Sequence, residues 1–309
     1  MLREKLARLT VVSRSRNAEN EATLNDLESK GAALEFCGSY DNVAELTRIF
    51  QGADTVLIST RVNVEIIRGT MPHFLAAAVA ANVKRFVPCE FGVNTQWVEK
   101  GAATIFDAKK EFANAVMASG LGWTMLFTGG YMHYHVPSYK MYPPPHCHPT
   151  HQLIGSTRAL DTLRMYAKLQ TLGDLTKANP QSHIEDIGTI AARCLVDART
   201  LNKFVQFDKR RLSQNDFFEM VERLYPGRRF DRVHVTSEEI VHGKTHGSES
   251  ASSAASGHEP DRERHGINFV CWVDDRGVFG PYNETTLNAG KFGNNFPCPQ
   301  TPQPTACKP

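Results

Sequence analysis

The 309-residue chain is 41% apolar and 22% charged, which excludes wholesale disorder and allows one large domain or two ordinary ones. Thirty-five Lys and Arg face 33 Asp and Glu, a formal charge of +2, so there is no basic footprint for nucleic acid or an anionic membrane. The longest apolar run, Phe74 to Val83, is about half a membrane span, and no hydrophobic signal core follows Met1-Leu2-Arg3-Glu4-Lys5.

Leu2 to Leu9 reads as the back half of a helix feeding a β-branched strand, Leu9 to Arg14. An amphipathic helix is predicted over Asn20 to Lys30, a strand over Ala33 to Cys37 and a helix over Val43 to Phe50. Thr55 to Ser59 is the next strand, Val64 to Asn82 a long Ala-rich helix, and Lys84 to Pro88 a further strand. Near-continuous apolar strands separated by helices predict an α/β fold, a doubly wound parallel sheet covered on both faces. Ligands of such sheets sit at the carboxyl ends of the strands.

A helix follows over Phe106 to Ser119, and the rhythm breaks after Tyr131, where Pro137 to Pro149 reads as a Pro-, Tyr- and His-rich loop. Helices are predicted over Ile184 to Val196 and Ser213 to Leu224, the second capped by Ser213 with Asp216, and a strand over Lys203 to Phe207. His242 to Gly266 has almost no apolar content and reads as a disordered insertion or surface loop. The last 14 residues hold five prolines and read as a tail.

The seven cysteines are scattered and contain no C-x-x-C, which points to a reducing compartment and hence to the cytoplasm. Arg14 and Arg16 stand at the carboxyl end of the first strand, where an arginine favours the 2′-phosphate of NADP; two solvated loop arginines are the plainer alternative. Ser59 and Thr60 follow a strand in the same way, as groove residues or as helix caps. Lys109 and Lys110 lie on one helix, as a ribose ligand and general acid or as a solvated face. His146 to His151 brings three imidazoles and a thiolate together, but a Pro-rich loop fixes no ligand geometry, and no metal site is assigned. His133 and His135 alternate with Tyr131 and Tyr134, facing a cleft or buried. No G-x-S-x-G, H-E-x-x-H, Walker A or EF-hand pattern is present, which leaves hydrolase and phosphoryl-transfer readings without support.

The segment Val83-Lys84-Arg85-Phe86-Val87-Pro88-Cys89-Glu90-Phe91-Gly92 resembles the V-K-R-F-x-P-S-E-F-G block of the isoflavone reductase-like, NmrA-like atypical short-chain dehydrogenases. Phe106-Asp107-Ala108-Lys109 is similar to the family's F-x-x-K, Gly120 to Thr124 to its G-[IL]-x-[WY]-T, and Gly129-Gly130-Tyr131-Met132 to the segment bordering the nicotinamide. Glu185 to Gly188 and Asp197 to Lys203 resemble its D-I-G and D-P-R-T-x-N-K blocks. The resemblance runs from about Leu9 to Tyr225 and implies an NADPH-dependent reductase of a small, often aromatic, substrate. It implies that Lys109 is the catalytic lysine, that Arg14 meets the 2′-phosphate, and that Ser59, Thr60, Cys89, Phe91 and Lys109 line the cofactor.

The chain departs from that pattern in several places. It has no counterpart of the family's first strand and G-x-x-G-x-x-G turn, and Cys89 replaces a serine. Thr23 and Ala113 fall where basic residues are usual. The implied organisation is an NAD(P)-binding Rossmann-like domain over 1–135, incomplete at its start, and a substrate lobe over 136–295 that returns elements to the sheet. The insertion 242–266 lies within that lobe, and a Pro-rich tail occupies 296–309. Two alternatives stand beside the reductase: a non-enzymatic dinucleotide sensor that contacts another protein, and an inactive truncated relative. Retention of Lys109 favours the enzyme, since a pure sensor has no need of it.

Overall fold

The computed structural model describes residues 7–132, 168–224, 231–246, 261–274, 278–279 and 285–289. The first half alternates β1 (Thr10–Ser13), α1 (Glu21–Ser29), β2 (Ala33–Phe36), α2 (Val43–Phe50) and β3 (Thr55–Leu57). The long helix expected from Val64 is interrupted: a π-helical turn, Ile66–Thr70, precedes α3 (Met71–Ala80). Pro72 sits in the first turn of α3 and has no N–H to give the carbonyl four residues back, so the ladder changes spacing there. Next come β4 (Arg85–Val87), α4 (Thr104–Ala118), β5 (Gly122–Phe127) and β6 (Gly130–Tyr131).

Later elements are β7 (Lys168–Leu172), β8 (Asn179–Ser182), α5 (Ile184–Val196), β9 (Lys203–Gln206), β10 (Arg211–Leu212) and α6 (Gln214–Leu224). They are followed by β11 (Asp231–Val235), α7 (Ser237–His246), α8 (Asp261–Trp272) and β12 (Thr286–Asn288). Ser213 and Asp216 cap α6 reciprocally: the Ser213 hydroxyl accepts from the Asp216 N–H at 3.1 Å, and the Asp216 carboxylate accepts from the Ser213 N–H at 2.7 Å.

The main sheet has the order β12-β9-β5-β4-β3 and is parallel throughout. Its central strands, β4 and β5, are buried on both faces. Phe86, Met125 and Phe127 join a core with Phe74, Ala77, Phe112 and Val116 of α3 and α4. The alternate residues Val87, Leu126 and Val205 join Ile187, Ala191 and Cys194 of α5. That alternation is the physical content of the doubly wound arrangement, and it explains why the strands read as unbroken apolar runs.

β1 and β2 pair with each other in parallel and form a separate two-stranded sheet. Among the described residues, no strand bonds to the edge of β1 away from β2 or to the edge of β3 away from β4. Side chains link the two sheets instead. Cys37 and Leu46 share a core with Val56 and Phe74, and the Tyr40 ring lies 5.0 Å from that of Phe74.

The expectation of a disordered insertion over 242–266 is corrected at both ends. His242–His246 is the last turn of α7, and Asp261–Gly266 opens α8; residues 247–260 lie outside the described set. Tertiary packing supplies what the local sequence lacks, because Ile240 and Val270 are buried and α8 crosses the Gly101–Ala103 segment closely. A Cβ on Gly266 would overlap the carbonyl of Ala102 at 1.9 Å, so that crossing requires glycine. The Pro137–Pro149 loop, His133, His135, the His146–His151 cluster and the 296–309 tail also lie outside the described residues.

Candidate active site at the carboxyl edge of the sheet

The chain leaves β4 through Pro88-Cys89-Glu90-Phe91-Gly92, a turn tight enough for the Glu90 N–H to donate to the Pro88 carbonyl at 2.9 Å. Phe91 has φ +37°, uncommon for a bulky side chain and costing about 1–3 kcal/mol. Neighbours hold it there. Its N–H donates to the Leu126 carbonyl at 2.9 Å, and its own carbonyl accepts from the Tyr131 hydroxyl at 3.1 Å. The Gly129 N–H donates to the Gly92 carbonyl at 3.0 Å. The G-G-Y segment thus clamps the E-F-G turn.

Lys109 projects from α4 into that turn. Its side chain is 13% exposed, and Nζ donates to the Glu90 main-chain oxygen at 2.6 Å. The Glu90 carboxylate is buried, with Oε2 4.0 Å from the Lys109 Nζ and 3.4 Å from the Thr95 hydroxyl. Burial pushes the Glu90 carboxyl up to about 7, against the opposing pull of the Lys109 ammonium. Burial also raises the Cys89 thiol, so it is a neutral donor; its sulfur reaches the Thr60 carbonyl at 3.5 Å. That contact ties the end of β4 to the loop after β3. Lys110 turns away and donates to the Val98 carbonyl at 3.3 Å. The adjacent lysines therefore have different work: one enters the site, the other braces a loop.

α4 has no side-chain cap from its own N-cap residue, Ala103. Glu263 of α8 does the capping from outside, accepting from the Thr104 N–H at 2.7 Å and the Ile105 N–H at 2.6 Å. Asp107 accepts from the Gly101 N–H at 2.9 Å. The lysine-bearing helix is thus anchored by a carboxylate 159 residues away in sequence.

Arg14 stands at the carboxyl end of β1 with its guanidinium exposed over the Tyr40 ring, 5.8 Å from the centroid. Arg16 is spent on Asn25 and Glu28 of α1, both at 2.5 Å. The alternative of two solvated arginines thus splits: one is tied down, and the other carries no paired carboxylate among the described residues. Ser59 is exposed, and Thr60 is half-buried beside Cys89. Thr60, Cys89, Phe91 and Lys109 therefore come together around one turn, while Arg14 lies on the other sheet.

Several blocks that carried the family resemblance turn out to hold the sheet together. Arg85 is buried and donates to the carbonyls of Cys194 and Leu195 and to the Thr200 hydroxyl, at 2.9, 3.2 and 3.1 Å. Asn202 accepts from the Trp123 N–H at 3.0 Å and returns its own N–H to the Trp123 carbonyl at 2.7 Å. Gly122 is required there, since a Cβ would lie 2.6 Å from the Lys84 carbonyl. The Cys89-Glu90-Phe91-Gly92 turn reads as cofactor-side in the sequence, but nothing there marks Glu90 as buried against Lys109; Glu263, in the charged run Asp261-Arg262-Glu263-Arg264, has no signal at all.

A parallel sheet wound on both faces, with a lysine at its carboxyl edge, places the molecule among α/β proteins of Rossmann-like fold. The chain belongs to the NmrA-like family, whose model matches residues 6–253. It is 27% identical over 235 residues to isoflavone reductase homolog P3 of Arabidopsis thaliana, covering 72% of this chain and 69% of that protein. It is 26% identical over 231 residues to phenylcoumaran benzylic ether reductase PT1 of Pinus taeda, covering 74% of this chain and 68% of that protein. Among solved structures, the leucoanthocyanidin reductase–NADPH complex from Vitis vinifera shares the fold with a TM-score of 0.68 at 20% identity, over 93% of this chain and 85% of that one. No helix among the described residues is long and apolar enough to cross a membrane.

Proposed function

We propose that the chain is an NADPH-dependent reductase of a small organic substrate, working in the cytoplasm, with Lys109 at the reacting end of the cofactor and Arg14 at its adenosine end. The observation that carries this reading is the Lys109 ammonium, directed into the carboxyl edge of the sheet by the Glu90 carbonyl at 2.6 Å while Lys110 is engaged elsewhere. The relatives' names support the chemistry, and the scattered cysteines of the sequence, with no C-x-x-C, point to a reducing compartment.

The residues present fit the two ends of a dinucleotide. Arg14 offers an exposed cation for a 2′-phosphate, and Lys109 a donor for ribose hydroxyls, with Thr60, Cys89 and Phe91 at the turn that Lys109 enters and Ser59 exposed beside Thr60. No G-x-x-G-x-x-G run occurs in the 309 residues, so binding itself is the first quantity to measure. Bound NADPH supplies a hydride. Lys109 orients the reacting groups and delivers a proton to the substrate. On this reading the substrate lobe falls within residues 136–295.

The test is a titration with NADPH and with NADH, followed by thermal stability and nicotinamide fluorescence. At a hundredfold excess over Kd the native state gains about 2.7 kcal/mol. Arg14→Ala should weaken NADPH by roughly tenfold or more while leaving NADH unchanged. Lys109→Met should lower turnover of a screened aromatic substrate by about a hundredfold. A flat titration on a cooperatively folded chain overturns the reading. Tight binding with no reduction across the screen would favour a dinucleotide sensor.

A further inference from the structure

Glu90 presents two different acceptors to one ammonium. The neutral main-chain oxygen holds Lys109 Nζ at 2.6 Å, whereas the carboxylate stops at 4.0 Å, short of the 2.7–2.9 Å expected of a closed charge-assisted bond. The carboxylate is 3% exposed and receives one long hydroxyl bond, from Thr95 at 3.4 Å. A group meant only to brace the turn would do so more cheaply as an amide, because an ionised carboxylate in that setting is poorly compensated.

We propose that Glu90 is the proton partner of Lys109, a buried carboxyl that restores the proton Lys109 gives up. The proposal rests on the reductase reading for the first transfer, from Lys109 to a substrate. In the second transfer the Glu90 O–H bond breaks and an N–H bond forms on the Nζ lone pair, leaving a carboxylate beside an ammonium. One proton moves, and no electron leaves the pair.

The groups around Glu90 leave Lys109 as its counterpart. Cys89, on the same turn, is a thiol kept neutral by burial, and Thr95, on the following helical turn, is an uncharged hydroxyl. Lys109, from α4, is the one cation placed against it among the described residues. With burial lifting the carboxyl to about 7, it is protonated on the acid side of neutrality and able to give its proton up near it.

Infrared spectroscopy reads that proton without any cofactor or substrate. The wild-type chain should show a protonated-carboxyl C=O band at pH 6 that disappears near neutrality and is missing from Glu90→Gln. Lys109→Met should move the midpoint upward by about one pH unit, since an opposite charge that close favours the ionised form. A Glu90 in contact with water and uncoupled from Lys109 would titrate in the ordinary carboxylate range and would ignore the substitution. A folded wild-type chain without the band, or a midpoint unmoved in Lys109→Met, overturns the proposal. Should Glu90→Gln fail to fold, the wild-type and Lys109→Met titrations decide it. The NADPH titration is scored separately. A flat result there removes the reductase reading, and with it the first transfer, while a midpoint shifted in Lys109→Met still establishes the Glu90–Lys109 pair.

Discussion

A carboxyl group kept out of water at the carboxyl end of β4 makes stability depend on pH. Glu90 is raised to about 7 in the folded chain, against an ordinary value of 4.5. Between those values the native state holds a proton that the unfolded chain has released, so stability falls as pH rises through the folded value. Glu90→Gln carries no such dependence. Its stability relative to wild type should therefore improve by about 2 kcal/mol between pH 5 and pH 8, measured by urea unfolding at both values. An unchanged difference would place the carboxyl in water. The same position shows what a motif conveys: the E-F-G run marks a turn, but the burial that gives Glu90 its chemistry arises from α4 and the Thr95 turn folding over it.

The helix that carries Lys109 has its start fixed by another element. Removing the carboxylate with Glu263→Ala leaves the N–H groups of Thr104 and Ile105 without their acceptor and should cost about 1–2 kcal/mol. Glu263→Gln, which keeps an acceptor, should cost less. Thermal melts check the magnitude, and faster amide exchange at Thr104 and Ile105 would locate it. The order of strands and helices in the first half was legible from periodicity because short β-rich runs alternate with helical ones, and the central strand β4 is covered on two faces, Phe86 on one and Val87 on the other. The capping of α4 was not, because the partner sits 159 positions away inside a charged run that looks solvated. α7 and the first half of α8 escaped for a related reason: their helicity comes from packing against each other and against Ala102, not from local apolar content. The D-A-R-T-L-N-K block was legible as a motif, yet its work, meeting Arg85 and Trp123, needed the sheet to be seen.

At the scale of the whole molecule, the separation of β1 and β2 from the five-stranded sheet governs how the protein comes apart. The β1–α1–β2 unit is joined to the rest by side chains such as Cys37 and Tyr40 and not by a strand ladder among the described residues. It should open at a lower free energy than β4 and β5, and native-state hydrogen exchange should find Thr10–Phe36 exchanging by a sub-global route with a smaller denaturant dependence. A common exchange free energy across both sheets would refute that. A dinucleotide that met Arg14 at one end and Lys109 at the other would act as a staple between two foldons. Its signature would then appear in a strand it never touches: slowed exchange along Ala33–Phe36, rising with ligand concentration as the two pieces begin to open together.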